Sequence, residues 1–282
     1  MLDNVKVLIP CTNSIRALLF ITTIWQKQIP SLGYSRHWEK AKNSILQLPI
    51  TAKGKLDFAF MEDYIHDIEK AHLCELEGQR QHELDAYLYV TGRTSHSLTP
   101  VEKNAIKSIP SLCWQTFNVK ELFGESTRGK RLKGADRNPG SLPFVTAGEV
   151  NTGISALIGN NVKIFQRNTI TIDMFGSAKY RNYEYGADDH VAVVHTEQLP
   201  QLATIFIAAA CHKAAHTGKF NYGHNFYAKD ADELNIMLPA KNGVPDINTM
   251  EAIISATQKL VINDVATSSN LRLTTMEKIV NR

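Results

Sequence analysis

The stretch Arg128-Gly-Lys-Arg-Leu-Lys-Gly-Ala-Asp-Arg137 places five cations, Arg128, Lys130, Arg131, Lys133 and Arg137, within ten residues. Lys and Arg neutralise phosphates and release condensed counterions, so this cluster has the chemistry of a nucleic-acid backbone contact. Its glycines let the main chain approach another surface closely. A solvated surface loop has the same composition, and the loop alone does not separate the two readings. A second group, Lys179-Tyr180-Arg181-Asn182-Tyr183, interleaves cations with aromatics and an amide. Arg pairs bidentately with guanine and Asn with adenine, which makes Lys179, Arg181 and Asn182 candidates for base edges and Tyr180 a candidate for sugar or phosphate packing. A polar hairpin is the plainer reading of those residues.

Other constellations point to less. Cys211, His212 and His216 stand at helical spacing with His224 beyond. The corresponding positions of an internal repeat hold Trp25, Gln26 and Pro30, so the scaffold does not require ligands there, and structural histidines are expected. Asp188-Asp189-His190, joined by Asp173, is the raw material for a metal-dependent nuclease or other hydrolase, the rival reading from a different class. No third carboxylate follows at a defined spacing, so no metal site and no cofactor are expected. The sequence has no Gly-rich phosphate loop ending in Lys-Ser/Thr, no GxSxG elbow and no dinucleotide fingerprint. Asn138-Pro139-Gly140 is not the Asn/Asp-Pro-Pro-aromatic motif of an adenine methyltransferase. No familiar active site assembles, and a chain without catalysis of its own is expected.

The elements that must hold these groups belong to a globular chain of 282 residues, 43% hydrophobic and 21% charged. Its mean hydropathy of -0.21 excludes disorder as the main theme. The apolar runs Leu18 to Trp25 and Leu202 to Cys211 are too short to span a bilayer. With no secretory signal and four scattered cysteines (Cys11, Cys74, Cys113, Cys211), a cytoplasmic protein with small buried thiols is expected. Net charge of +3 permits a nucleic-acid partner without arguing for one.

Self-similarity organises the chain. Tyr34-Ser-Arg-His-Trp38, Leu48-Pro49, Gly54, Asp57, Met61-Glu62 and Ile65 reappear in order as Tyr222-Gly-His-Asn-Phe226, Leu238-Pro239, Gly243, Asp246, Met250-Glu251 and Ile254, at offsets of 188 to 190 residues. Upstream, Phe20 to Lys27 corresponds to Phe206 to Lys213 at an offset of 186. An ordered series of this kind is an internal duplication. Val5 to Pro10 then corresponds to a strand at Val191 to His195.

Between the copies, Phe58, Met61, Ile65, Ile68, Leu73, Leu76, Leu84 and Leu88 recur at helical spacing, which predicts one long amphipathic helix with Gly78 as a possible kink. Thr99-Pro100-Val101-Glu102 reads as a capping box opening a helix to about Ser108. A further helix starts near Asn248, with Met250, Ile254, Thr257 and Val261 on one face. Apolar helices are predicted at Ile15 to Gln28 and Leu202 to Ala215. Leu142 to Thr146, Val162 to Phe165, Thr169 to Asp173 and Val191 to His195 read as strands of a compact β-rich module. The helical stripes read as packing faces, and Met61, Ile65, Ile68, Leu76, Met250 and Ile254 are the candidates for a subunit interface.

The segment Leu142-Pro-Phe-Val-Thr-Ala-Gly-Glu-Val-Asn151, with Thr169 to Tyr183, Asp188-Asp-His-Val191 and the opening Trp114 to Phe123, resembles the target-recognition domain of specificity subunits of type I and related bipartite restriction-modification systems. The Leu-Pro-then-helix passages resemble the spacer helices that follow each such domain. The resemblance implies an α+β fold, a β-rich recognition domain with long antiparallel spacer helices and an internal repeat. It also implies a non-catalytic DNA-binding subunit that docks methyltransferase subunits on its helices, with a motor-nuclease subunit in type I systems. Against that pattern the chain holds the tail of a first recognition domain (1-50), a central spacer (51-112), one complete recognition domain (113-240) and a C-terminal spacer helix (241-282). A second copy of the chain or a complementing fragment is then expected to cover residues 1-50. A structural assembly module that no longer binds DNA is the remaining alternative.

Overall fold

The computed structural model describes residues 8-10, 12-29 and 38-281. The residues expected to form a strand at Val5 to Pro10, and the Tyr34 to His37 part of the repeat, fall largely outside them. Eight α-helices are formed among the described residues: α1 Ile15–Gln28, α2 Trp38–Lys42, α3 Phe58–Val90, α4 Pro100–Ser108, α5 Val119–Phe123, α6 Gln201–Ala215, α7 Ala228–Asp232 and α8 Ile247–Val280. The strands are β1 Trp114–Asn118, β2 Thr127–Arg128, β3 Pro139–Val145, β4 Ile154–Ile158, β5 Thr169–Asp173, β6 Ala178–Arg181, β7 Gly186–Ala187, β8 Val191–Val194, β9 Asn235–Lys241 and β10 Val244–Pro245. The chain divides into two compact units, residues 95-261 and residues 1-94 with 262-282.

The larger unit is built on β5, whose five residues are all buried. The strand's β-branched residues alternate: Ile170 and Ile172 enter the apolar core, while Thr169, Thr171 and Asp173 are buried on the other face with hydrogen-bond partners. It pairs antiparallel with β6 and β8, and β2 adds the outer edge in the order β2-β8-β5-β6. On one face Ile170, Ile172, Ala192 and Val194 pack against Ala203, Ile207 and Cys211 of α6. Burial pushes the Cys211 thiol up to about 12, so it behaves as a small hydrophobe. On the other face Val191 and Val193 meet Val145, Phe165, Tyr185 and Ala187, beside a second sheet ordered β4-β3-β7. A third sheet joins β1 to β9, with Trp114 opposite Pro239, and zips the two ends of this unit together.

Helix α4 begins with the predicted capping box: Thr99 Oγ1 accepts from the Glu102 N–H at 3.3 Å, and the Glu102 carboxylate accepts from the Thr99 N–H at 2.7 Å. The same carboxylate accepts from the Lys259 ammonium at 2.9 Å and from the Ser255 hydroxyl, which ties α4 to α8 through a buried ion pair.

In the smaller unit, α3 starts at an Asp57 N-cap and runs through Gly78 without a break. Helix α1 packs against it, with Ala17 and Met61 fully buried and the Phe20 ring edge-on to Tyr64 at 5.5 Å. Arg16 holds both long helices: its Nε donates to Glu69 at 2.8 Å, and its Nη2 donates to the Val280 carbonyl. At the far end of α3, Leu84 and Tyr87 share a small cavity with Ile262, Val265 and Ala266. Moving from Glu69 to Tyr87 therefore runs against the direction of α8, and the two helices are antiparallel.

Several expectations need correction. Met61 is buried by this chain itself and Met250 lies in the core beneath β9, so neither is available as a subunit contact. Ile65, Leu76 and Ile254 are half-buried, while Ile68 is 50% exposed. Val162 to Phe165 forms no strand; Phe165 alone makes a bridge to Tyr185, and Ile164 points to solvent. Cys74 and Cys113 are exposed, unlike Cys211.

Candidate nucleic-acid interface

The basic loop leaves β2 and runs beside β7. The Lys130 N–H donates to the Ala187 carbonyl at 3.1 Å and the Leu132 N–H donates to Asp188 at 3.2 Å. A Cβ on Gly129 would stand 1.7 Å from the Ala187 oxygen, so this close approach requires glycine. Arg137 closes the loop on itself. Its Nε and Nη2 donate to the Leu132 carbonyl at 3.2 and 3.1 Å, its Nη1 donates to Ser155 at 3.1 Å, and its guanidinium lies 4.9 Å from the centre of the Phe144 ring. Asn160 clips the far end, accepting from the Asn138 N–H at 2.7 Å and donating to the Asp136 carbonyl at 2.9 Å. Arg137 is thus a positioning residue of the loop, not one of its free cations. Arg128, Lys130, Arg131 and Lys133 are exposed and make no ion pair among the described residues. A pinned loop bearing four outward cations is preorganised for an anionic partner.

The second sequence group divides differently. Arg181 is 2% exposed. Its Nε donates to the Thr171 hydroxyl at 2.9 Å, its Nη1 to the Tyr183 hydroxyl at 2.9 Å and its Nη2 to the Thr152 carbonyl at 2.8 Å. A guanidinium committed to these acceptors inside the fold does not read a base, and the expectation for Arg181 is corrected. Lys179 is also taken: its ammonium lies 3.5 Å from Asp173, 3.2 Å from Glu149 and 2.8 Å from the Ser177 hydroxyl. Opposite charges beside it neutralise the cation that a phosphate or a base would need, so Lys179 is corrected as well. Alternation explains the split, because β6 residues point to opposite faces and Arg181 falls on the inner one.

Tyr180 and Asn182 reach another place, a cleft of about 580 Å³ that Gln166, Arg167, Glu197 and Gln198 also line. Burial, opposed by the charge of Arg167 and a hydrogen bond from Gln201, raises the Tyr180 phenol above its ordinary value, so it is a neutral hydroxyl. The sequence offered no contiguous motif for this cleft, because its residues come from three separate segments that the sheet brings together.

The acidic group is only partly assembled. Side-chain ligand atoms of Asp188, Asp189 and His190 lie within 4.8 Å of one another. Asp173 is not with them: its oxygens accept from the N–H groups of Gly148 (3.2 Å), Phe175 (3.0 Å) and Ser177 (3.0 Å), which shapes a turn. The histidines are structural. His212 accepts from the Ala178 N–H at 3.2 Å and stacks on His216 at 4.7 Å, while His224 stacks on Phe220.

Comparison with known proteins identifies the family. The family model described as type I restriction modification DNA specificity domain matches residues 112–265. The chain is 24% identical over 250 residues to the type II restriction enzyme specificity subunit S.BcgI of Heyndrickxia coagulans, covering 87% of this chain and 67% of that protein. Among solved structures, the S subunit of a type I restriction-modification system from M. genitalium aligns with 94% of this chain and 70% of its own, at 14% identity and a TM-score of 0.42. The HsdS subunit from Thermoanaerobacter tengcongensis aligns with 93% of this chain and 65% of its own, at 11% identity and a TM-score of 0.44. Since the family match takes in more than half of its length, the chain belongs to the type I restriction-modification DNA specificity domain family and is a DNA sequence-recognition subunit of a restriction-modification system.

Proposed function

We propose that the chain binds double-stranded DNA without chemistry of its own and directs a methyltransferase subunit, and in a type I assembly a motor-nuclease subunit as well, to a split site. The observation that carries this reading is the rigid loop 128–137 with its outward Arg128, Lys130, Arg131 and Lys133. Phosphate contacts from such a loop fix register and orientation on the duplex, and sequence is read elsewhere. Residues 113–240 form the recognition domain in this reading, and 51–112 and 241–282 serve as spacers. Of the sequence-derived interface positions, Ile68 is the one still open to a partner, beside the half-exposed Phe60 and Tyr64. The α1 face, where Ile15 is 75% and Leu19 47% exposed, is assigned to a second copy of the chain or a complementing fragment.

The test is selection from a random-sequence duplex pool by the full chain together with its methyltransferase subunit, alongside plasmid and Mg²⁺. A discrete enriched motif with intact plasmid is expected. An unenriched pool, or plasmid cut by the purified chain alone, overturns the reading.

A further inference from the structure

We propose that the base-reading surface of this subunit is the amide-lined cleft beyond the end of β8, with Arg167, Asn182 and Gln198 as its specificity-determining residues. This deepens the DNA-recognition reading above and rests on it. The cleft measures about 580 Å³, and its lining contains no aliphatic side chain, with Tyr180 as the one ring. Small-molecule pockets are mostly apolar with a few polar groups, so this composition argues against a metabolite site. It suits the edge of a base pair, where recognition is by paired donors and acceptors.

The walls are fixed and the rim is free. Asn168, held in the left-handed region at φ 64°, donates through Nδ2 to the carbonyls of Leu199 at 2.7 Å and Thr196 at 3.2 Å. That locks the start of β5 to the link between β8 and α6. Tyr180 and Gln201 line the other wall. By contrast, Gln166, Arg167, Asn182 and Gln198 are exposed, and their side chains make no hydrogen bond among the described residues. Glutamine and asparagine match adenine N6 and N7, and arginine matches guanine O6 and N7. A fixed frame carrying unused donors and acceptors is what directional readout requires.

Charge separates this cleft from the basic loop. Its one cation, Arg167, is balanced by Glu197, whose carboxylate is 2.9 Å from His195 Nδ1. Near-neutral charge gives little phosphate attraction, so the cleft works by hydrogen-bond pattern while the loop works by charge. The loop lies beside Asp188, before β8, and the cleft starts at Glu197, after it. Strand β8, Val191–Val194, thus lies between the two in sequence.

The experiment repeats the duplex selection with the full chain carrying Arg167→Ala, Asn182→Ala or Gln198→Ala, with thermal melting of each variant as the control for folding. Each variant is expected to melt with the wild type and to lose discrimination by roughly 5- to 150-fold at one or two positions of the motif, leaving the others intact. A wild-type motif retained in full by all three variants overturns the cleft alone, as does uniformly weaker binding with an unchanged motif. A wild-type chain that enriches no motif overturns the underlying recognition reading and the cleft with it.

Discussion

Arg181 Nη2 donates to the main-chain carbonyl of Thr152 at 2.8 Å, and Thr152 sits at φ 54° next to Asn151 at φ 48°. Two successive non-glycine residues in the left-handed region are costly, at about 1–3 kcal/mol each, and persist only where their surroundings hold them. Arg181 is one such restraint. Gly153, at φ 84°, completes the turn where a Cβ would lie 2.8 Å from the Thr146 carbonyl. A residue whose type suggested base reading instead shapes a loop of the recognition unit.

Arg181→Ala is therefore expected to act on stability. Removing the guanidinium leaves the Thr152 carbonyl and the Thr171 and Tyr183 hydroxyls short of a donor, which should cost on the order of 3 kcal/mol. Urea unfolding of the purified chain measures it. Unchanged stability together with relaxed sequence preference would restore Arg181 as a reader.

The buried Glu102 predicts a pH dependence. Burial alone would raise its pKa, but the Ser255 hydroxyl, the Thr99 N–H and the Lys259 ammonium outweigh it and hold the carboxyl at about 2, below the ordinary value of 4.5. A depressed acid contributes stability that is fully present above the unfolded pKa and is lost as pH falls through the folded one. Wild-type stability should thus decline between about pH 4.5 and pH 2 more steeply than that of Glu102→Gln, whose neutral-pH stability should already be lower by about 3 kcal/mol. Parallel pH profiles for the two proteins would count against this ion pair as a stabilising contact.

Arg131→Ala with Lys133→Ala should weaken binding to every duplex alike. Each lost phosphate contact removes about 0.9 from the slope of log K against log salt, so the pair should flatten it by about 1.8. Stability should stay within about 0.5 kcal/mol, because both side chains are exposed. Fluorescence anisotropy across a salt series reads the slope.

Met61→Asp and Ile68→Asp separate fold from assembly. Met61 is fully buried between α1 and α3, so an unpaired charge there should unfold the helical unit, while Ile68, half-exposed, should tolerate Asp and lose partner binding. Circular dichroism and co-purification with the methyltransferase subunit distinguish them. Intact assembly by Ile68→Asp would remove that face from the interface.

The contrast between these positions shows what was legible in the sequence. Helices α1 and α4 fall where periodicity and the Thr99 capping box put them, because local chemistry sets helix ends. Strand β5 was legible from its β-branched run, whereas β1 and β9 pair across more than a hundred residues and their burial depends on that partner. At the site, residue type identified the basic loop but not its division of roles. That Arg137 bonds Leu132, or that Arg181 points inward, is decided by strand alternation and by neighbours distant in sequence. The cleft gave no linear signal, since Arg167, Asn182 and Gln198 meet only once the sheet has formed.

The central claim, that this chain distinguishes one DNA sequence from others, is tested most directly by competition binding. The duplex enriched by selection is set against a scrambled duplex of equal length and composition, at one fixed salt concentration near physiological. Preference for the selected sequence by about 10³-fold or more is predicted, as for specific protein–DNA complexes generally. Equal affinity for the two duplexes would contradict the account.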